Sequence, residues 1–126
     1  MMDRIELERY ITERFGVQAD HPWMKYPGNA VFRHSNNRKW FALVMDVSGV
    51  KLGIQVRGSV SIVNVKCDPI LIGSLLNESG FYPAYHMNKN SWVTAVLDEA
   101  AGFEKIKWLL EMSYDMTDVK VKKKKT

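Results

Sequence analysis

Eight consecutive residues hold most of the groups that can do chemistry: Tyr85-His86-Met87-Asn88-Lys89-Asn90-Ser91-Trp92. The stretch carries two aromatic rings, an imidazole, two amides and an ammonium. A general base needs a nucleophile and an orienting acid within reach. No nucleophile elbow or related motif accompanies His86. It reads instead as a binding group, or as a histidine that holds a bend by bonding to backbone. Asn88 suits an adenine edge or a turn cap, and Lys89 suits a phosphate or a solvated surface. Trp92 offers a face for stacking on a base, or a ring for the core. The stretch is therefore either a ligand site or a structural bend.

Other reactive types are sparse. Cys67 is the single cysteine, so no intramolecular disulfide can form, which suits a reducing, cytoplasmic setting. It precedes a predicted helix start, where the helix dipole lowers a thiol pKa; the alternative is a buried, inert thiol. His21, His34 and His86 lie far apart and no Cys/His pair has ligand spacing, so neither a metal nor a cofactor is expected. No glycine-rich phosphate loop occurs.

The basic residues divide into two sets. The chain has 126 residues, 18 basic and 14 acidic. Five of the lysines fall in the last seven positions. Without them 13 basic residues face 14 acidic ones, so the body is close to neutral. The high pI belongs to a Lys-rich tail, expected to be disordered over 119–126, behind a single domain over 1–118. Within the body, Arg33, Arg38 and Lys39 surround one predicted turn, and Lys51 and Arg57 lie on the second predicted hairpin. With Lys66 and Lys89 they form a basic surface for double-stranded DNA if the sheet brings them together.

The elements that must position these groups follow from periodicity. Asp3 with Glu6 makes a capping box, Leu7, Tyr10, Ile11 and Phe15 recur at helical spacing, and Gly16 stops the helix, giving a helix over Asp3–Phe15. Its exposed face mixes Arg4 and Arg9 with Glu8 and Glu13. Val17–Asn29 is a loop whose aromatics, Trp23 and Tyr26, form a satellite core or a ligand platform. Strands are expected over Ala30–His34, Arg38–Val47, Val50–Val56 and Val60–Lys66. The second is apolar on both faces and hence central. The third reads as an edge strand or hairpin arm. Asp68-Pro69 caps a helix running to Glu78. A last strand spans Trp92–Leu97, and a last helix Ala100–Tyr114. The order α-β-β-β-β-α-β-α with short turns defines an α+β fold, helices packed on one face of an antiparallel sheet. The opening Met1-Met2-Asp3-Arg4-Ile5-Glu6 has no apolar h-region, so no signal peptide is expected, and the longest apolar runs are too short for a membrane span of roughly 20 residues.

Several segments together resemble the MmcQ/YjbR family of small bacterial proteins. They are Lys39-Trp40-Phe41-Ala42-Leu43, Val65-Lys66-Cys67-Asp68-Pro69, Pro83-Ala84-Tyr85-His86-Met87-Asn88-Lys89, Trp92-Val93 and Ser113-Tyr114-Asp115. The resemblance implies a CyaY-like fold, an antiparallel sheet with flanking helices. It also implies a non-enzymatic role in DNA binding, in which hairpins act as a double wing. Ser91 departs from the pattern, since many relatives place a bulky charged residue or histidine before the tryptophan. A frataxin-like fold also suggests iron on an acidic helix face, but the mixed charges of the first helix remove its electrostatic support.

Overall fold

A computed structural model of the chain describes residues 3–55, 57–98 and 100–118. The predicted tail, 119–126, lies outside the described residues. The elements run α1 (Arg4–Phe15), β1 (Ala30–Arg33), β2 (Trp40–Ser48), a 3-10 turn (Gly49–Leu52), β3 (Ser59–Lys66), α2 (Pro69–Leu75), β4 (Phe81–Pro83), β5 (Trp92–Val96) and α3 (Phe103–Thr117). The five strands form one antiparallel sheet in the order β1-β2-β3-β5-β4.

Side chains alternate across a strand, so each sheet face collects its own core. One face carries Ala42, Val44, Val63, Val65, Val93 and Ala95. Leu7 and Ile11 of α1, Ile72 and Leu75 of α2, and Ile106, Leu109 and Leu110 of α3 close over it. The opposite face carries Val31, Leu43, Met45, Val47, Ile62 and Val96 and is roofed by loop residues, among them Trp23, Leu52, Ile54, Tyr85 and Met87. Both faces of β2 are thus covered, as its unbroken apolar run predicts.

Caps fix the helix ends. The Asp3 carboxylate accepts from the Glu6 backbone N–H at 2.8 Å, and the Glu6 side chain returns to the Asp3 N–H. Asp68 caps α2 in the same way, accepting from Ile70 N–H at 2.9 Å. Ser113 of α3 ties two strands together. Its hydroxyl donates to the Phe41 carbonyl at 2.6 Å and accepts from Lys66 N–H at 2.9 Å. These two groups lie just beyond the last β2–β3 register pair, Ala42 with Val65. Tyr114 beside it stacks on Phe15 at 4.6 Å and on the buried His34 at 4.1 Å.

Beyond shifts of one or two residues at element ends, four elements differ from the sequence reading. Where a strand is expected over Val50–Val56, residues Gly49–Leu52 form a 3-10 turn closed by Gly53 in the left-handed conformation, and Val56 lies outside the described residues. Gly49 and Gly53 break the run, and Leu52 and Ile54 fold over the open face instead of pairing. The hairpin arm expected there is absent among the described residues. β4 is an addition: three residues ending in Pro83, too short for a periodic signal. α2 stops at Leu75, before Glu78. α3 begins at Phe103, behind a turn held by the Asp98 carboxylate, and runs to Thr117.

Candidate functional site

A groove of about 520 Å³ lies along β2 on the face away from the helices. Its floor is the odd-numbered set Leu43, Met45 and Val47. Trp23, Tyr26, Asn29 and Trp40 line it, as do Tyr85, His86 and Met87; Asp46, Ser48 and Lys51 complete the lining.

The 21–29 loop sets Trp23 and Tyr26 by two successive turns. Tyr26 N–H donates to the Trp23 carbonyl at 3.2 Å, and Asn29 N–H to the Tyr26 carbonyl at 3.0 Å. The indoles of Trp23 and Trp40 meet edge to face at 5.6 Å and 89°, a favoured aromatic geometry. The Arg33 guanidinium lies 5.7 Å from the Trp40 ring centre and is paired with Asp20 at 2.8 Å.

A buried polar pair holds Tyr85. Asn64 on β3 and Thr94 on β5 are opposite one another in the sheet, and both are fully buried. Tyr85 N–H donates to the Thr94 hydroxyl at 2.9 Å, and that hydroxyl donates to the Asn64 side-chain oxygen. The Asn64 amide donates to the Tyr85 carbonyl at 3.3 Å, which closes a ring. Both backbone polar groups of one loop residue are thereby fixed on the sheet, and each buried side chain is satisfied. His86 follows with φ +59°, a left-handed conformation that costs a non-glycine residue about 1 kcal/mol or more. Its ring lies 4.0 Å from that of Tyr85, at the groove.

The rest of the eight-residue stretch builds this bend. Lys89 Nζ donates to the Ala84 carbonyl at 2.9 Å. The Asn88 side chain accepts from Asn90 N–H at 2.8 Å, and its carbonyl from Ser91 and Trp92 N–H. Trp92 is 9% exposed and sits opposite Lys66 in the sheet, so its ring is core. Of the stretch, Tyr85, His86 and Met87 reach the groove.

The basic candidates do not form one surface. Arg33, Arg38, Lys39, Lys66 and Lys89 lie at the sheet end where β1 ends and β5 begins, while Lys51 and Arg57 lie at the other. Eight residue steps of β2 separate those ends, about 26 Å. The first turn is also tied down. Asn37 donates to the Thr117 carbonyl at 2.9 Å, and the His34 ring meets the Thr117 hydroxyl at 2.8 Å. Arg38, with φ +64°, and Lys39 remain exposed on it. Cys67 is fully buried, and desolvation pushes its thiol pKa up despite the adjoining helix start, with a smaller opposing contribution from the Asp68 backbone. The described residues hold no cluster of three metal-ligating side chains and no helix long and apolar enough to cross a membrane.

The groove floor was hidden in the sequence because β2 is apolar on both faces, so its alternation carries no contrast. Asn64 had a legible signal: an amide inside Ile62-Val63-Asn64-Val65 demands a partner.

An antiparallel sheet with helices on one face and a loop-roofed aromatic groove on the other defines a small α+β domain with a ligand-sized concavity. The chain belongs to the YjbR family, whose model matches residues 12–116. It is 37% identical over 117 residues to the uncharacterized protein YyaQ of Bacillus subtilis (strain 168), covering 93% of this chain and 99% of that one. A Pseudomonas syringae protein solved by crystallography is similar in structure, with a TM-score of 0.90 and 43% identity over 93% of this chain and all of the other. A Deinococcus radiodurans DUF419 protein has a TM-score of 0.69 at 23% identity, over all of this chain and 83% of that one, a likeness of fold alone.

Proposed function

We propose that the chain is a non-catalytic binding module whose site is the groove over β2. One observation carries this reading: a concave groove with an apolar floor lies beside His86, walled by aromatic rings, with Tyr85 anchored by the Asn64–Thr94 clamp. Its volume falls in the range of small-molecule sites, about 300–1,000 Å³. The rings are placed before any ligand arrives, which lowers the ordering cost of binding. A fragment screen followed by NMR tests it. Hits are expected to shift the indole N–H signals of Trp23 and Trp40 and the backbone of Tyr85 to Met87. Hits that cluster elsewhere, or a screen without hits, would contradict the reading.

The duplex-DNA reading that the resemblance implies draws support from Arg38 and Lys39, exposed on a tied-down turn. Against it stand the near-neutral body and the division of the cations between two sheet ends. Titrating duplex DNA at two salt concentrations, with the full chain and with one ending at Asp118, separates the sources. Binding that survives truncation and weakens steeply with salt supports the domain as the DNA site. Binding lost with the tail removes that reading.

A further inference from the structure

Resting on the groove reading, we infer that the ligand class is a planar, mostly apolar ring system bearing one anionic group, seated with that group at Lys51. The charges lining the groove carry the inference. Asp46 is the one carboxylate among the lining residues, and its Oδ1 is already engaged. It lies 3.3 Å from the Arg4 guanidinium and accepts from the Ser61 hydroxyl at 2.6 Å. Arg4 is itself held by Glu8 at 2.6 Å and by the Gly28 and Val44 carbonyls. Lys51 also lines the groove and is exposed, and among the described residues its side chain makes no hydrogen bond and no ion pair. The lining therefore offers one unengaged permanent charge, and that charge is positive.

The shape of the rest selects the body of the ligand. Leu43, Met45 and Val47 make an apolar floor, and Trp23, Tyr26 and Tyr85 supply rings. Ring edges are positive and ring faces negative, so flat aromatic ligands stack or meet edge to face on such walls. Aromatic walls also suit organic cations. Here the Trp40 ring already has the Arg33 guanidinium beside it, and Lys51 repels a second cation. Asp46, held through Oδ1 by Arg4 and Ser61, is less open to a ligand cation than Lys51 is to an anion.

Three probes of one shape test this with the full chain: 2-naphthoate, 2-naphthylmethanol and 2-naphthylmethylammonium, titrated while the Trp23 and Trp40 indole N–H signals are followed. The naphthoate is expected to bind about fivefold tighter than the alcohol, the size of effect an exposed charge pair supports, and the ammonium weakest. In Lys51→Met, which keeps the apolar stem, the naphthoate and alcohol affinities should converge. Lys51→Glu should put the ammonium first. Equal binding of the three probes by the native chain would overturn the inference and leave the groove reading intact. So would a preference for the ammonium, or an anion preference that survives Lys51→Met. If none of the probes moves the indole signals, the inference falls, and the fragment screen alone decides the groove.

Discussion

At the scale of single residues, buried polar groups explain more than exposed ones. Asn64 and Thr94 spend their hydrogen bonds on each other and on the backbone N–H and C=O of Tyr85. Thr94→Val keeps the shape but strands the Tyr85 N–H and loosens Asn64. The expected cost is about 1–3 kcal/mol in chemical denaturation, with faster amide exchange at Tyr85; unchanged exchange would refute the clamp. Cys67 gives a pH prediction. Burial raises its pKa, and Tyr10 is raised too, first by burial and then by Glu111. A group that holds its proton more tightly when folded lets the unfolded chain ionise first. Both groups are therefore silent at neutral pH and cost stability as pH rises past the ordinary thiol and phenol ranges. The Cys67→Ala variant should show a shallower alkaline decline than the native chain, and an equally steep one would contradict the assignment. The aromatic loop and His86 were legible as candidates because their residue types are rare in connectors. The turn-cap reading of Asn88 was one of two left open, and the bond of Lys89 to the Ala84 carbonyl was not legible. A side chain that bonds nearby backbone has the same sequence signature as one that waits for a ligand.

At the scale of elements, local chemistry predicted what it directly controls. Asp3, Gly16, Asp68 and Pro69 mark ends that the structure keeps. The run from Val50 misled because Leu52 and Ile54 alternate like a strand, while the flanking glycines let the chain turn and cover that sheet face. β4 was invisible because three residues hold no period; tertiary packing defines it. Gly80 at its start has φ +91°, and a Cβ there would lie 2.7 Å from the Ala101 backbone nitrogen. Gly80→Ala should therefore cost about 3 kcal/mol, from left-handed strain and overpacking together. A melting temperature equal to that of the native chain would show that the turn before α3 yields more easily than its packing implies.

At the scale of the whole molecule, the fold is asymmetric. Three helices seal one sheet face, while loops roof the other and leave a groove between them. That division was only half legible: the helix face follows from periodicity, whereas the groove depends on where non-periodic loops come to rest. The tryptophans make the asymmetry measurable. Trp23 and Trp40 line the groove, whereas Trp108 is 48% exposed on α3 and serves as an internal control. The most direct test is therefore an NMR titration of the full chain with 2-naphthoate, read at the indole N–H signals. Saturable shifts at Trp23 and Trp40, with Trp108 unmoved, are the predicted result. Shifts at Trp108 with Trp23 and Trp40 still would contradict the groove as the binding site.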